Sequence, residues 1–222
     1  MKKTVVSFVL LTLPFLASAQ WSAYITGGGG SAIKNVTESV LMSNYTTNKQ
    51  HTNSVAFGYS FQGGLDINYF WSPKLGLASG LTYYYSRVPG ETLTTGELSQ
   101  ENWHSEAMQI PLSLLWSPGK RHRSIIRLGF SANFSLMYNT FGQAINYWYN
   151  PFFWEVHLGY SRSIGDRFRL GLLLSQNLNW YMKEEVTNAV SDAGSGMVNK
   201  HYFTNVLVTV SYRLFGNKKG RE

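Results

Sequence analysis

The sequence VAFGYSFQGGLDINYFW, residues 55–71, alternates between two kinds of side chain. Its odd-numbered positions are almost all apolar or aromatic, whereas its even-numbered positions are small or polar as far as Asn68. Successive side chains of a β-strand point to opposite faces of a sheet, so this period of two predicts a strand with one apolar and one polar face. The same period predicts eight strands in all, near residues 21–31, 55–71, 75–86, 108–116, 126–138, 152–161, 168–179 and 202–214.

The connections between these strands alternate in length. Short turns follow strands two, four and six, and longer polar segments follow strands one, three, five and seven, at roughly 32–54, 88–104, 139–151 and 180–201. Short turns at one end and long loops at the other are typical of outer-membrane barrels. The chain therefore predicts an all-β fold, an eight-stranded antiparallel up-and-down transmembrane β-barrel. Its N- and C-termini are both expected on the turn side, in the periplasm.

A soluble barrel or sandwich is the alternative, because the period alone does not say which face points inward. An eight-stranded barrel has little interior room, so the small and polar face suits the lumen and the bulky aromatic face suits lipid. Aromatic residues also gather at the predicted strand ends, where the rings of membrane proteins contact lipid headgroups. We expect an interfacial aromatic girdle that contains Tyr69, Trp71, Trp116, Trp148 and Trp154.

The composition fits the same fold. The chain has 222 residues, with no cysteine, 15% aromatic residues and 14% charged residues, against about 25% charged in an average soluble domain. The aromatic content excludes a disordered chain, and the lack of cysteine excludes a disulfide scaffold or a cysteine-ligated metal. A mean hydropathy of −0.16 is too low for a helical membrane protein. In a membrane barrel only alternate residues meet lipid, which explains this combination.

The first residues predict export. Lys2 and Lys3 precede an apolar run from Val5 to Ala17, and residues 17–19 match a small-x-small cleavage site. The run is shorter than the about 20 residues of a membrane anchor, which is the alternative. We therefore predict a cleaved signal peptide at 1–19, an outer-membrane barrel at 20–215 and a short basic periplasmic tail at 216–222.

Charged and polar residues on the predicted inner face form a candidate site. Arg127 and Glu155 lie on neighbouring predicted strands, where they could pair, and Asp66, Arg169 and Arg213 could join them in a network. A polar pore or ligand cavity is one interpretation. A packed plug is the favoured one, because a buried ion without a partner is costly. The predicted luminal network contains Asp66, Arg127, Glu155, His157, Arg169 and Arg213.

Catalytic and cofactor signals are weak. The tripeptide His104-Ser105-Glu106 has the residue types of a serine triad, but consecutive strand residues point to opposite faces. No metal-ligand spacing appears, and Gly27–Gly30 lacks the Lys-Ser/Thr of a phosphate loop, so the run is interpreted as close strand packing. We expect no catalytic residue, metal or cofactor. The basic turn at 120–123 is expected to be solvated or to contact phospholipid, and not nucleic acid.

Two segments carry a family resemblance. Residues 108–115 read MQIPLSLL, and Gly76-Leu77, Gly80-Leu81 and Tyr83 mark the preceding strand. Both resemble the PorT-like family of small outer-membrane β-barrels from Bacteroidota-type bacteria, and the resemblance covers the whole mature chain. It implies the barrel fold and the outer-membrane location. PorT itself is linked to a protein secretion system.

The function predicted from the sequence is that of a non-enzymatic outer-membrane barrel, which is structural or binds a partner through surface loops. A narrow channel, or an accessory component of protein secretion or transport, is the alternative. A lipid-modifying enzyme is the third possibility. The expected partners are lipopolysaccharide on the outside, phospholipid on the inside and a protein bound by the loops.

Overall fold

A computed structural model describes residues 20–42, 47–50, 54–94, 97–119, 122–138, 140–141, 145–187 and 196–216. The predicted signal peptide and most of the basic tail lie outside these residues. The described residues form twelve β-strands: β1 (Gln20–Met42), β2 (Thr47–Gln50), β3 (Ser54–Phe70), β4 (Leu75–Thr94), β5 (Glu97–Trp116), β6 (Ser124–Ser135), β7 (Thr140–Phe141), β8 (Ile145–Tyr149), β9 (Phe152–Ile164), β10 (Phe168–Asn177), β11 (Met182–Thr187) and β12 (Gly196–Gly216).

Eight of these strands close into a barrel. β1, β3, β4, β5, β6, β9, β10 and β12 are antiparallel neighbours in that order. β12 then pairs with β1 from Ser22 opposite Gly216 to Met42 opposite Gly196, which leaves no free edge between the first and last strands. The predicted eight-stranded antiparallel up-and-down barrel is confirmed.

Among the described residues, no helix is long and apolar enough to cross a membrane.

The apolar face of every barrel strand points outward. On β3, for example, Leu65 is 51% exposed and the adjacent Asp66 is 8% exposed. Tyr59 and Tyr69 lie ten residues apart on this outer face, which at about 3.4 Å per residue and a tilt of about 45° is a height of about 24 Å. The apolar band of an outer-membrane barrel is about 25 Å tall. The outer surface therefore matches the hydrocarbon layer in height as well as in chemistry.

The prediction of loops at 32–54, 88–104 and 180–201 is wrong in large part, because strands continue into these segments. β1 has 23 residues, β4 and β5 have 20 each and β12 has 21, whereas about 9–11 residues cross a bilayer. In these extensions the sequence loses its alternation, although the backbone pairing of the strands continues. At the other extreme, the predicted strand 126–138 stops at Ser135, and the backbone N–H of Leu136 donates to Glu106 O of β5.

The long strands continue the same sheet past the loop end of the barrel. The end of β1 pairs with β2 on one side and with the start of β12 on the other. The start of β12 also pairs with β11, followed by β8 and β7. β4 and β5 also continue past the barrel, as a hairpin in which Thr94 stands opposite Glu97. We call these parts together the loop-end extension.

Two backbone features shape the wall. The run Gly27–Gly30 lies in β1, and a Cβ added at Gly30 would stand 1.9 Å from the carbonyl oxygen of Val206 on β12. The close strand packing predicted for this run is confirmed at Gly30. On β5, Pro111 of the family-like segment lies at a gap in the β4–β5 pairing, between Ser79 opposite Leu112 and Thr82 opposite Gln109. Proline has no backbone N–H to donate there.

Candidate functional site

A salt bridge between Asp66 and Arg127 joins β3 and β6 inside the lumen. Arg127 Nη1 donates to Asp66 Oδ1 at 3.3 Å, and Nη2 donates to Oδ2 at 3.2 Å. Thr26 of β1 also donates its hydroxyl to Asp66 Oδ2 at 3.2 Å. Three strands are thereby connected through one carboxylate, and the two parallel contacts are the strong bidentate form of this pair.

The predicted pair between Arg127 and Glu155 is wrong. Their strands are neighbours, but Arg127 stands opposite Gly159 and Glu155 stands opposite Ser131. The two residues are thus four register positions apart, about 13 Å along the strands. Glu155 is 3% exposed, its neighbour is the Ser175 hydroxyl, and its Oε2 atom has no hydrogen-bond partner. Sequence reasoning found the right strands, but it had no information about their register.

His157 lies between two serines that the sequence did not single out. Ser113 Oγ is 2.8 Å from His157 Nε2, and Ser131 Oγ is 3.2 Å from Nδ1. Both serines are buried, and the alternation in their strands already placed them on the polar face. Because each ring nitrogen faces a hydroxyl and not a carboxylate, this group lacks the acid of a catalytic triad. It acts as a brace across β5, β6 and β9.

Gly129 makes room for this brace. A Cβ at Gly129 would lie 2.1 Å from Leu112 O and 3.0 Å from His157 Nε2. We expect Gly129→Ala to lower the free energy of unfolding by about 2 kcal/mol, the usual cost of an extra methyl group in a packed interior. Urea unfolding of the folded barrel in lipid vesicles measures this change.

Gly63→Ala is the matched control for Gly129→Ala. It also lies in a barrel strand, but nothing lies within 4 Å of its added Cβ. Its stability is expected to stay equal or rise slightly, since alanine lowers the entropy of the unfolded chain. Equal losses for the two variants would show that the close approach of the β5 backbone and the His157 ring to Gly129 does not determine the loss.

The lumen contains a small polar cavity of about 70 Å³. It has room for about five water molecules, whereas sites for small organic ligands usually measure 300–1,000 Å³. The predicted ligand cavity is therefore limited to water or an ion. Asp66, Arg127, Glu155 and His157 line it, so four of the six predicted network residues share one space.

An apolar cluster fills the lumen on the loop side of this cavity. Tyr181 is fully buried, and its ring centroid lies 5.3 Å from that of Phe153 and 5.4 Å from that of Phe203. Sequence reasoning missed Tyr181 because it follows β10 in a segment predicted to be a loop. The loop-end cluster contains Ala32, Tyr84, Val88, Ala107, Phe153, Tyr181, Met182 and Phe203.

A second apolar cluster lies at the turn end. Phe70, Ala78, Leu115 and Ile125 pack together there, and the His122 ring lies 4.1 Å from the Phe70 ring. Burial lowers the pKa of His122, and the positive charge of Arg169 lowers it further. The neutral imidazole therefore predominates at neutral pH and packs against Phe70. This turn-end cluster occupies the β3–β6 side of the lumen.

Arg169 and Arg213, the remaining predicted network residues, also lie at the turn end. The Arg169 guanidinium stacks over the Tyr24 ring at 4.8 Å, and it donates to Ser163 Oγ and to His122 O. The backbone N–H of Arg213 donates to Arg167 O in the turn between β9 and β10. Neither arginine joins the Asp66–Arg127 salt bridge directly.

The proposed girdle residues divide between the two ends of the barrel. Tyr69 lies at the turn end between Trp21 and Trp71, at centroid distances of 4.5 and 6.3 Å, and Trp116 lies at the same end. At the loop end, Trp154 packs against Phe130 and Phe152. Trp148 lies in β8, outside the eight barrel strands.

No catalytic or metal group stands out among the described residues. His104 is exposed and Ser105 is buried, so the two side chains face opposite ways, as the strand alternation predicts. The described part of the chain contains no group of three or more His, Cys, Asp or Glu residues placed to hold a metal ion.

The closed barrel, its apolar outer belt and its polar, largely filled lumen define a class. This is the architecture of a transmembrane β-barrel of the bacterial outer membrane. A soluble barrel places its large apolar residues inside, and here they are outside.

Comparisons with known proteins find similar folds among solved structures. No family model matches the chain, and no curated protein sequence matches it. Among solved structures, it is similar to the outer membrane protein AlkL in DMPC bilayers (14% identity, 90% of this chain and 93% of that one, TM-score 0.44). It is also similar to the Neisserial surface protein A (12%, 86% and 96%, 0.39) and to Ail of Yersinia pestis (7%, 89% and 99%, 0.39).

Proposed function

We propose that this protein is a non-enzymatic, non-conducting outer-membrane barrel that presents its loop-end extension to a protein partner at the cell surface. The observation that carries this proposal is the length of β1, β4, β5 and β12, about twice what a bilayer requires. Strands that continue past the lipid provide a paired backbone surface for a partner. The described residues begin and end at the turn end, near Ser22 and Gly216, which we assign to the periplasm, so the extension faces outward.

The filling of the lumen supports a non-conducting barrel. An ion that crosses it must pass the loop-end cluster, the Asp66–Arg127 salt bridge and the turn-end cluster. Apolar constrictions exclude hydrated ions, and the cavity between them holds only a few waters. These barriers favour a closed barrel over the narrow-channel alternative.

Planar-bilayer recording tests the closed lumen. We expect the wild-type protein, inserted from detergent, to show no stable single-channel openings in 1 M salt. Heat-modifiable migration on a gel verifies that the inserted protein is folded. Reproducible unitary openings from folded wild-type protein would contradict the proposal and favour a channel.

The surface role has a separate test. Replacing residues 89–102 by a two-residue Asn-Gly turn removes the β4–β5 hairpin, while Val88 and the other residues of the loop-end cluster remain. We expect this variant to fold with normal heat modifiability and to fail to complement a deletion strain. Full complementation would show that the hairpin is dispensable, and a purely structural barrel would be the better description.

Two other functions remain as competing proposals. The family-like segments at Gly76–Tyr83 and Met108–Leu115 support an accessory role in protein secretion, for which the expected result is a changed pool of secreted proteins in a deletion strain. A lipid-modifying enzyme would alter labelled lipid A on incubation. We expect unchanged lipid, because His157 faces only serine hydroxyls.

A further inference from the structure

Two guanidinium groups at the turn end of the lumen have no carboxylate partner among the described residues. Arg169 is 8% exposed, and Arg213 is half-buried with its Nε atom buried and without a hydrogen-bond partner. Within the described part of the chain, neither arginine lies within ion-pair distance of an acidic side chain. Burying a charge without a counter-charge is costly, so this arrangement calls for an anion.

The neighbours of Arg169 are neutral. Its Nε donates to Ser163 Oγ at 3.2 Å and its Nη2 donates to His122 O at 3.1 Å. The face of Tyr24 lies against the guanidinium and stabilises its charge without neutralising it. These contacts hold the guanidinium in one orientation at the mouth of the lumen, and they leave its positive charge uncompensated.

Nearby charges increase the demand for an anion. Arg127 and Arg213 are both close enough to Arg169 to repel it, and among the described residues Asp66 is the one carboxylate that attracts it. Both oxygens of Asp66 already accept hydrogen bonds from Arg127. The Asp66 carboxylate is therefore already engaged with Arg127 and does not neutralise Arg169.

We infer that the turn-end mouth of the lumen, between Arg169 and Arg213, is a binding site for an oxyanion of the phosphate class. Guanidinium groups bind phosphate oxygens through parallel N–H donors, and two of them at one mouth match a tetrahedral anion. Arg169 bonds to the β5–β6 connection, and the backbone of Arg213 bonds to the β9–β10 turn. An anion therefore arrives from the turn side without passing the loop-end cluster.

This site is independent of the loop-end extension and of the proposed surface function. Its ligand is a free phosphate or the phosphate of a lipid headgroup in the facing leaflet, since both present the same oxygens. The competing occupant is a carboxylate of the chain's own C-terminal residues, 217–222, which follow β12 directly.

The first experiment measures thermal unfolding of the folded barrel in a nonionic detergent with added inorganic phosphate. We expect the midpoint to rise by about 3–6 °C at a phosphate concentration tenfold above the dissociation constant. Sodium chloride at the same ionic strength is expected to give less than a third of that shift. Equal shifts with phosphate and chloride would mean general screening and would overturn the site.

Arginine variants test whether the shift in the unfolding midpoint comes from phosphate bound at this mouth. Arg213→Gln and Arg169→Gln are each expected to remove most of the phosphate shift, and Arg213→Gln keeps the test valid if the more buried Arg169 variant fails to fold. Arg162→Gln is the matched control, because Arg162 is an exposed arginine of the same end of β9. A full phosphate shift in Arg213→Gln, or an equal loss in Arg162→Gln, would overturn the site.

Two further arms identify the source of the anion. In vesicles of phosphatidylglycerol or phosphatidylcholine, which both carry a headgroup phosphate, a headgroup ligand makes free phosphate ineffective, whereas a site for the free anion keeps its response to added phosphate; either result supports an oxyanion site. A chain that ends after Gly216 tests the tail. If phosphate stabilises only that shortened chain, the tail carboxylates fill the mouth and the proposal is wrong.

Discussion

Replacing Asp66 by alanine is expected to lower the free energy of unfolding by about 3 kcal/mol. The substitution leaves the Arg127 guanidinium, 22% exposed, without a carboxylate inside the barrel, and removing one partner of a buried pair costs about 3–5 kcal/mol. The small adjacent cavity admits water, which places the expected loss at the low end of that range. Thr26 loses an acceptor in the same substitution.

Urea unfolding in lipid vesicles measures the loss, and Asp166→Ala is its control. Asp166 is an exposed carboxylate in the turn between β9 and β10, where a surface interaction contributes about 1 kcal/mol or less. The double variant Asp66→Ala/Arg127→Met is expected to recover part of the stability, because it no longer buries an unpaired charge. If Asp66→Ala lowered the free energy of unfolding no more than Asp166→Ala, the salt bridge would make no special contribution to stability.

The sequence determined which residues face inward, but not which of them meet. The period of two assigned Asp66, Arg127 and Glu155 to the lumen, and the structure agrees at each position. Choosing Asp66 over Glu155 as the partner of Arg127 requires the register of six strands and the stagger of the closed barrel. Side-chain period carries no information about that stagger, so the pairing was beyond sequence reasoning.

The ends of the strands could not be predicted from the sequence, for a different reason. Within the bilayer, lipid outside and a packed lumen inside impose opposite chemistry on alternate residues, which makes strands such as residues 55–71 recognisable. Past the bilayer this alternation ends, so residues 32–42 and 88–94 resemble loops in sequence while they pair as strands. Tyr181 was missed with them, although it lies at the centre of the loop-end cluster.

Replacing Tyr181 by alanine is expected to give the other large loss of stability, about 3–5 kcal/mol, the range for truncating a fully buried aromatic residue. The Tyr181 ring makes edge contacts with Phe153, Phe203 and Tyr149, and its hydroxyl donates to His104 O at 3.4 Å. Tyr138→Ala is the control, because Tyr138 is 86% exposed and its truncation removes no interior contact. Urea unfolding that moved equally in the two variants would contradict a packed loop-end cluster.

The same variant separates the three barriers in the lumen. Tyr181→Ala opens the loop-end cluster, but the Asp66–Arg127 salt bridge and the packing around Leu115 still block the path. We therefore expect Tyr181→Ala alone to remain silent in bilayer recordings, and the triple variant Tyr181→Ala/Asp66→Ala/Leu115→Ala to show brief openings if it folds. Stable openings from Tyr181→Ala alone would mean that the aromatic cluster is the gate of a channel. Silence in that variant means that closure is distributed along the whole lumen, as a barrel with a structural interior requires.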